Sequence, residues 1–189
     1  MDPKTFYKEA IATASRVVED VTEDDFDNPT PDTDWTVYDL LSHMLYELAW
    51  VADIVNGQTV QQVGKKYDGD LIGDDLLGHW ANYREVAGAA IDAADLDKIV
   101  HLSYGDVALR DYLMEAGSDE AIHAWDLAES LGQHLRYDEP LLDELYTRAQ
   151  DEADTIASSN LFGPRVDVPN DADDQAKLLA IYGRREDWQ

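Results

Sequence analysis

Val37, Leu41, Met44, Leu48, Val51 and Val55 follow one another at alternating spacings of four and three residues. That repeat places all six on one stripe of a helix, and such a stripe is stable only when other helices cover it. The spacing predicts a long helix over 36–56 that forms the seam of a bundle, with Asp34 as its cap and Gly57 as its end. Three more segments repeat the pattern. Phe6, Ala10, Ala14, Val17 and Val21 predict a helix over 3–21 that opens on Asp2-Pro3. The other two are 74–94, with Leu77, Trp80, Ala81, Arg84, Ala87, Ala90 and Ile91 inward, and 109–131, ending near Gly132. A fifth helix is expected over 139–158 and a short closing helix over 173–182.

The connections are equally informative. Residues 22–34 are acidic, carry Pro29 and Pro31, and read as a loop. Residues 58–73 contain Gly64, Gly69 and Gly73; they are too many for a hairpin between helices and predict a crossover. Lys98–Gly105 alternates and is rich in β-branched residues, so a short extended segment is expected there, and 160–171 reads as irregular. The expected architecture is all-α: one domain over 1–189, a four-helix bundle with a long crossover between its second and third helices, plus an extra C-terminal helix and tail. Gly117 interrupts the helix 109–131 at a cost of about 1 kcal/mol relative to alanine. It reads either as a point of close helix contact or as a local weakness.

Charge narrows the partners. Asp and Glu number 41 against 14 Lys and Arg, giving a net charge of −27. Such a field repels nucleic acid and anionic membranes, so neither is expected as a partner. The acidic residues are spread along the whole chain among ten Tyr and five Trp, which argues for a folded protein adapted to high salt rather than a disordered one. There is no cysteine, hence no thiolate metal site and no protein thiol nucleophile. No stretch reaches the roughly 18 consecutive apolar residues of a membrane span, and Met1–Ala14 lacks a signal-peptide core. A soluble, cytoplasmic protein, monomer or homodimer, is expected.

Four of the five histidines follow an aspartate by four residues: Asp39/His43, Asp75/His79, Asp97/His101 and Asp119/His123. On a helix each such pair shares a face and can share a metal. In so acidic a chain the spacing recurs by chance, and an acidic solvated face explains it equally well.

Three longer stretches separate the pairs. Ser118–Gly132 reads S-D-E-A-I-H-A-W-D-L-A-E-S-L-G, Trp35–Leu45 reads W-T-V-Y-D-L-L-S-H-M-L, and Gln175–Trp188 reads Q-A-K-L-L-A-I-Y-G-R-R-E-D-W. In this order they resemble the signatures of the DinB-like superfamily, of the mycothiol-dependent maleylpyruvate isomerase N-terminal type. In the tail, Arg185-Glu186 stands where that family usually has Asp-Pro. The resemblance implies a DinB-like bundle with a metal held by His43 from one helix and by Asp119 and His123 from another. Glu120 points about 100° away around the helix and is the competing carboxylate. Asp126, one turn beyond His123, is a candidate to orient an imidazole, a solvated charge or a helix-to-helix hydrogen bond being the other readings. His79 matches no motif and is expected at the surface.

Two imidazoles and a carboxylate suit zinc, with nickel or iron as alternatives, and leave a position open for water or substrate. A cation lowers the pKa of a coordinated thiol or water, which is how a chain without cysteine could run thiol chemistry. The expected function is a metal-dependent transferase or isomerase that uses a low-molecular-weight thiol on a small-molecule substrate. A hydrolase using metal-bound water and a non-catalytic metal-binding or stress protein are the alternatives. Maleylpyruvate isomerases carry a further C-terminal domain with no counterpart before Gln189, so that particular reaction is not expected here.

Overall fold

A computed structural model describes residues 1–32, 34–159 and 161–188; of the expected loop 22–34 and connection 160–171, Thr33 and Asn160 lie outside the described residues. Side-chain caps mark where several of the helices begin. Asp2 accepts from the Thr5 N–H at 3.2 Å and opens α1 (Pro3–Val18). α2 (Val37–Val55) opens on a reciprocal box: Asp39 N–H donates to Thr36 Oγ1, and Thr36 N–H donates to Asp39 Oδ2 at 3.0 Å. Asp34, expected as this cap, lies outside the helix with φ at 71°. A two-residue error of this kind follows from reading a polar residue before an apolar run without the partner three positions on.

After α2 come a single helical turn α3 (Val60–Val63), α4 (Leu76–Ala93), strands β1 (Ile99–Leu102) and β2 (Gly105–Ala108), and α5 (Leu109–Ser130). The chain closes with α6 (Glu139–Asp151), α7 (Ala153–Ser159) and α8 (Asp174–Ile181). α1 packs on α4 and α5, and α2 packs on the same two helices, so the bundle runs α1–α5–α2–α4 around its axis. The connection from α2 to α4 is a true crossover. Lys98, just past α4, donates to the Val55 carbonyl at the end of α2, whereas Asp70, just before α4, bonds Tyr38 at the start of α2. α4 therefore returns to run parallel to α2.

All six seam residues of α2 are 2% exposed or less. On α4 the inward side is narrower than its pattern suggested: Trp80, Ala87 and Ile91 are buried, while Leu77 is 47% exposed and Ala81 and Arg84 face out. Leu76 and Leu77 are adjacent, and only Leu76 can turn toward the core. Gly117 is a point of close contact, because a Cβ there would sit 2.8 Å from Phe6 Cε1 and 3.2 Å from the Tyr7 Cα.

Two expectations change. The extended segment 98–105 is the first arm of an antiparallel hairpin, with Ile99 opposite Ala108 and Leu102 opposite Gly105. Its second strand is too short and too polar to announce itself. The helix expected over 139–158 is broken at Glu152 (φ −104°, ψ 8°) into α6 and α7. Both pieces put apolar residues on the same side, which is why the pattern reads as continuous. α6 lies against α1 and α8, and residues of α1, α5, α6 and α8 share a second apolar cluster that buries Phe6, Ile122, Trp125, Leu141, Leu145 and Leu179. Among the described residues no helix is long and apolar enough to cross a membrane.

Candidate metal centre

α2 and α5 meet beside the seam, where polar residues of the two helices face each other. His43 and Asp119 come face to face with Nε2 and Oδ2 3.2 Å apart, and His123 Nε2 lies 3.5 Å from Asp119 Oδ1. The His43 and His123 rings stand nearly perpendicular, centroids 4.9 Å apart. Donor atoms of all three residues lie within 4.8 Å of one another. A tetrahedral ion with bonds of about 2.0–2.1 Å holds its ligand atoms about 3.3 Å apart; each histidine stands near that distance from Asp119, but from a different one of its two oxygens. His43 and Asp119 side chains remain 28% exposed and His123 only 4%, so the cluster is anchored inside and open at its outer edge. Trp35, at the end of the loop before α2, lies 5.1 Å from the His43 ring and stacks at 5.9 Å on that of His123.

The electrostatics are those of a compensated cluster. Burial alone would raise the Asp119 pKa, but the His123 and His43 rings outweigh it and hold the carboxylate below its ordinary value. Burial alone would lower that of His123, but Asp119 and Asp126 outweigh it and hold the imidazole above its ordinary value. Asp126 is fully buried and its Oδ2 accepts from His123 Nδ1 at 3.2 Å, which leaves Nε2 turned to Asp119. Arg184 closes the arrangement from the C-terminal tail. Its Nε donates to Asp126 Oδ1 at 2.9 Å, and its Nη2 donates to Asp126 Oδ2 at 2.8 Å and Asp32 Oδ2 at 2.9 Å. Asp32, His123 and Asp126 also come within reach of one another as a second possible ligand group. There the guanidinium already supplies the positive charge.

The other Asp–His pairs are engaged elsewhere. Asp39 is consumed by the α2 capping box, although its histidine belongs to the cluster. Asp75 caps α4 through the Gly78 N–H, and the exposed His79 bonds the Leu71 carbonyl at 2.9 Å. Asp97 pairs with Arg110, and His101 with Asp106 across the hairpin. Asp119 alone of the four aspartates lies inside a helix, away from any cap. Glu120 does not compete: it is 2% exposed on another side of α5, and neither of its oxygens has a partner among the described residues. Burial pushes its pKa well above the ordinary value, and the Asp119 and Glu47 carboxylates push it the same way.

Arg184 and Asp32 are the residues that sequence reasoning missed. Arg184 stands in the tail motif, so a signal was present, but only the folded chain shows that the tail reaches Asp126.

The profile of the mycothiol maleylpyruvate isomerase N-terminal domain family matches residues 7–128. The chain belongs to this family. Its fold is that of a DinB-like maleylpyruvate isomerase. It is similar to the crystal structure of the mycothiol-dependent maleylpyruvate isomerase at a TM-score of 0.62 and 16% identity, over 82% of this chain and 71% of that one. It is similar also to a histidine-to-alanine mutant of that isomerase, at a TM-score of 0.60 and 15% identity, over 78% and 68% of the two chains. At such identities the likeness establishes the fold. No curated protein matches the sequence significantly.

Proposed function

We propose that the chain binds one divalent ion through His43, Asp119 and His123, zinc first and nickel or iron as alternatives, and acts as a thiol-using transferase or isomerase on a small molecule. One observation carries this reading: donor atoms of His43 on one helix and of Asp119 and His123 on another, far apart in sequence, all lie within 4.8 Å of one another. The donor set of two imidazoles and one carboxylate suits a first-row ion with a position left open. When bound, the ion would lower the pKa of a thiol in that position and so supply a nucleophile near neutral pH.

The protein's own residues support such a role. Trp35 packs on both imidazoles and shields them from bulk water on one side. Asp126 holds the far nitrogen of His123. The exposed edges of His43 and Asp119 admit the reacting group. With no cysteine in the chain, the thiol is external; the structural relatives are named for mycothiol, which makes a low-molecular-weight thiol of that kind the first to test.

The test is to load the protein with cobalt as a visible substitute and add a panel of low-molecular-weight thiols in high salt. A sulfur-to-cobalt absorption band that appears with a thiol, and is missing in His123→Ala, supports the reading. A cobalt spectrum that no thiol alters contradicts the thiol-using class.

A further inference from the structure

The tail is bound into the core around the candidate centre. Arg184 is 3% exposed. Its guanidinium makes hydrogen bonds to two distant segments, Asp126 on α5 and Asp32 in the loop before Trp35, and to the Tyr182 carbonyl of its own segment at 3.2 Å. The segment around it is fixed independently. Arg184 N–H donates to the Leu179 carbonyl at 2.9 Å, Gln175 bridges the Leu135 carbonyl and the Tyr137 N–H, and Leu178 and Leu179 are fully buried.

Asp126 links that tail to the candidate ligand. Its Oδ2 is shared between His123 Nδ1 and Arg184 Nη2, and its Oδ1 is taken by Arg184 Nε. A carboxylate with no solvent exposure cannot keep its charge or its orientation without such a counter-ion. Without Arg184, Asp126 loses the counter-ion that orients it toward the imidazole, and Asp32, in the loop that places Trp35 on both rings, loses the same partner. The family profile covers residues 7–128, so Asp32, His123 and Asp126 lie within it and Arg184 beyond it.

We propose that Arg184 is a positioning residue for the metal centre, acting on His123 through Asp126, so that metal binding and docking of the segment 174–188 are coupled. This rests on the reading of His43, Asp119 and His123 as ligands. Coupling of this kind is reciprocal: the factor by which a docked tail strengthens metal binding is the factor by which metal strengthens docking. Outer partners of metal-bound histidines are worth about 10–100-fold in affinity.

Zinc affinity is measured by chelator competition for the wild type, Arg184→Ala, Arg184→Lys, Asp32→Asn and His123→Ala. Amide hydrogen exchange over 174–188 is followed with and without zinc. Arg184→Ala is expected to weaken zinc binding about 10–100-fold, with Arg184→Lys in between because an ammonium cannot reproduce the two-pronged contact. Zinc should slow exchange across the tail of the wild type and have no such effect in His123→Ala. Two readouts exclude a merely structural role: a changed cobalt spectrum at saturating metal in Arg184→Lys, and partial recovery of Arg184→Ala affinity on adding millimolar guanidinium. If Arg184→Ala does not fold, as judged by circular dichroism, Arg184→Lys and Asp32→Asn carry the test. Wild-type zinc affinity in the Arg184 variants, alongside loss of binding in His123→Ala, overturns the proposal while leaving the ligand assignment standing. Unchanged binding in His123→Ala overturns the ligand assignment itself.

Discussion

Asp75/His79 and Asp119/His123 have the same spacing on helices of the same bundle, yet the structure gives them different work. Asp75 is the first residue outside α4, its carboxylate taken by an orphan backbone N–H, and His79 lies in solvent against the Leu71 carbonyl. Asp119 sits mid-helix, where no backbone donor is free, so its charge must be met by side chains. His43 and His123 meet it. The difference teaches that a paired aspartate and histidine become a candidate site only where the helix has no use for the carboxylate and a counter-charge holds the imidazole. At the first position neither condition is satisfied; at the second, Arg184 and Asp126 complete it.

The comparison breaks most visibly in metal binding. His123→Ala should weaken zinc binding by more than the roughly 10–100-fold that loss of an outer partner costs, whereas the double change Asp75→Ala with His79→Ala should leave it unaltered. Equilibrium dialysis with metal analysis of the wild type and these two variants decides between them.

Stability of the metal-free protein gives the next largest effect. Arg184→Ala leaves the buried Asp126 charge with His123 Nδ1 as its remaining partner, a loss of about 3 kcal/mol in urea unfolding. The acid limb sharpens the same point. Burial would raise the Asp126 pKa, but His123 and Arg184 hold it below 3.8. A lowered carboxylate contributes stability that is present above the unfolded value and is lost as pH falls through the folded one. Asp126→Asn should therefore flatten the fall in stability below about pH 4.

Gly117→Ala tests the close approach of α1 behind Asp119. The new Cβ meets Phe6 and the Tyr7 backbone, and overpacking of this kind costs about 1–3 kcal/mol, more than the gain of up to about 1 kcal/mol in helix propensity. The smallest effect belongs to the other pair: Asp75→Ala removes a helix cap, about 1 kcal/mol by thermal unfolding, with metal affinity unchanged.

Much of this was legible in the residues. The Val37-to-Val55 seam, the crossover and the four bundle helices follow from periodicity and glycine placement, because each is a local pattern with one stable use. The break at Glu152 and the second hairpin strand were not legible, since apolar spacing continues through the first and the second is four residues long. Within the candidate site, His43, Asp119 and His123 emerged from the three motifs and not from spacing, which four pairs share. Arg184 could not be placed because its partners, Asp126 and Asp32, lie 58 and 152 residues away in sequence and only the folded tail brings them together.

The most direct measurement is the metal content of the purified protein, set beside that of a His43→Ala, Asp119→Ala, His123→Ala triple variant shown by circular dichroism to be folded. One tightly held divalent ion per chain in the wild type and none in the variant is the predicted result. Equal metal content in the two, or none in the wild type after incubation with zinc, nickel and iron, would contradict the assignment of these three residues as a metal centre.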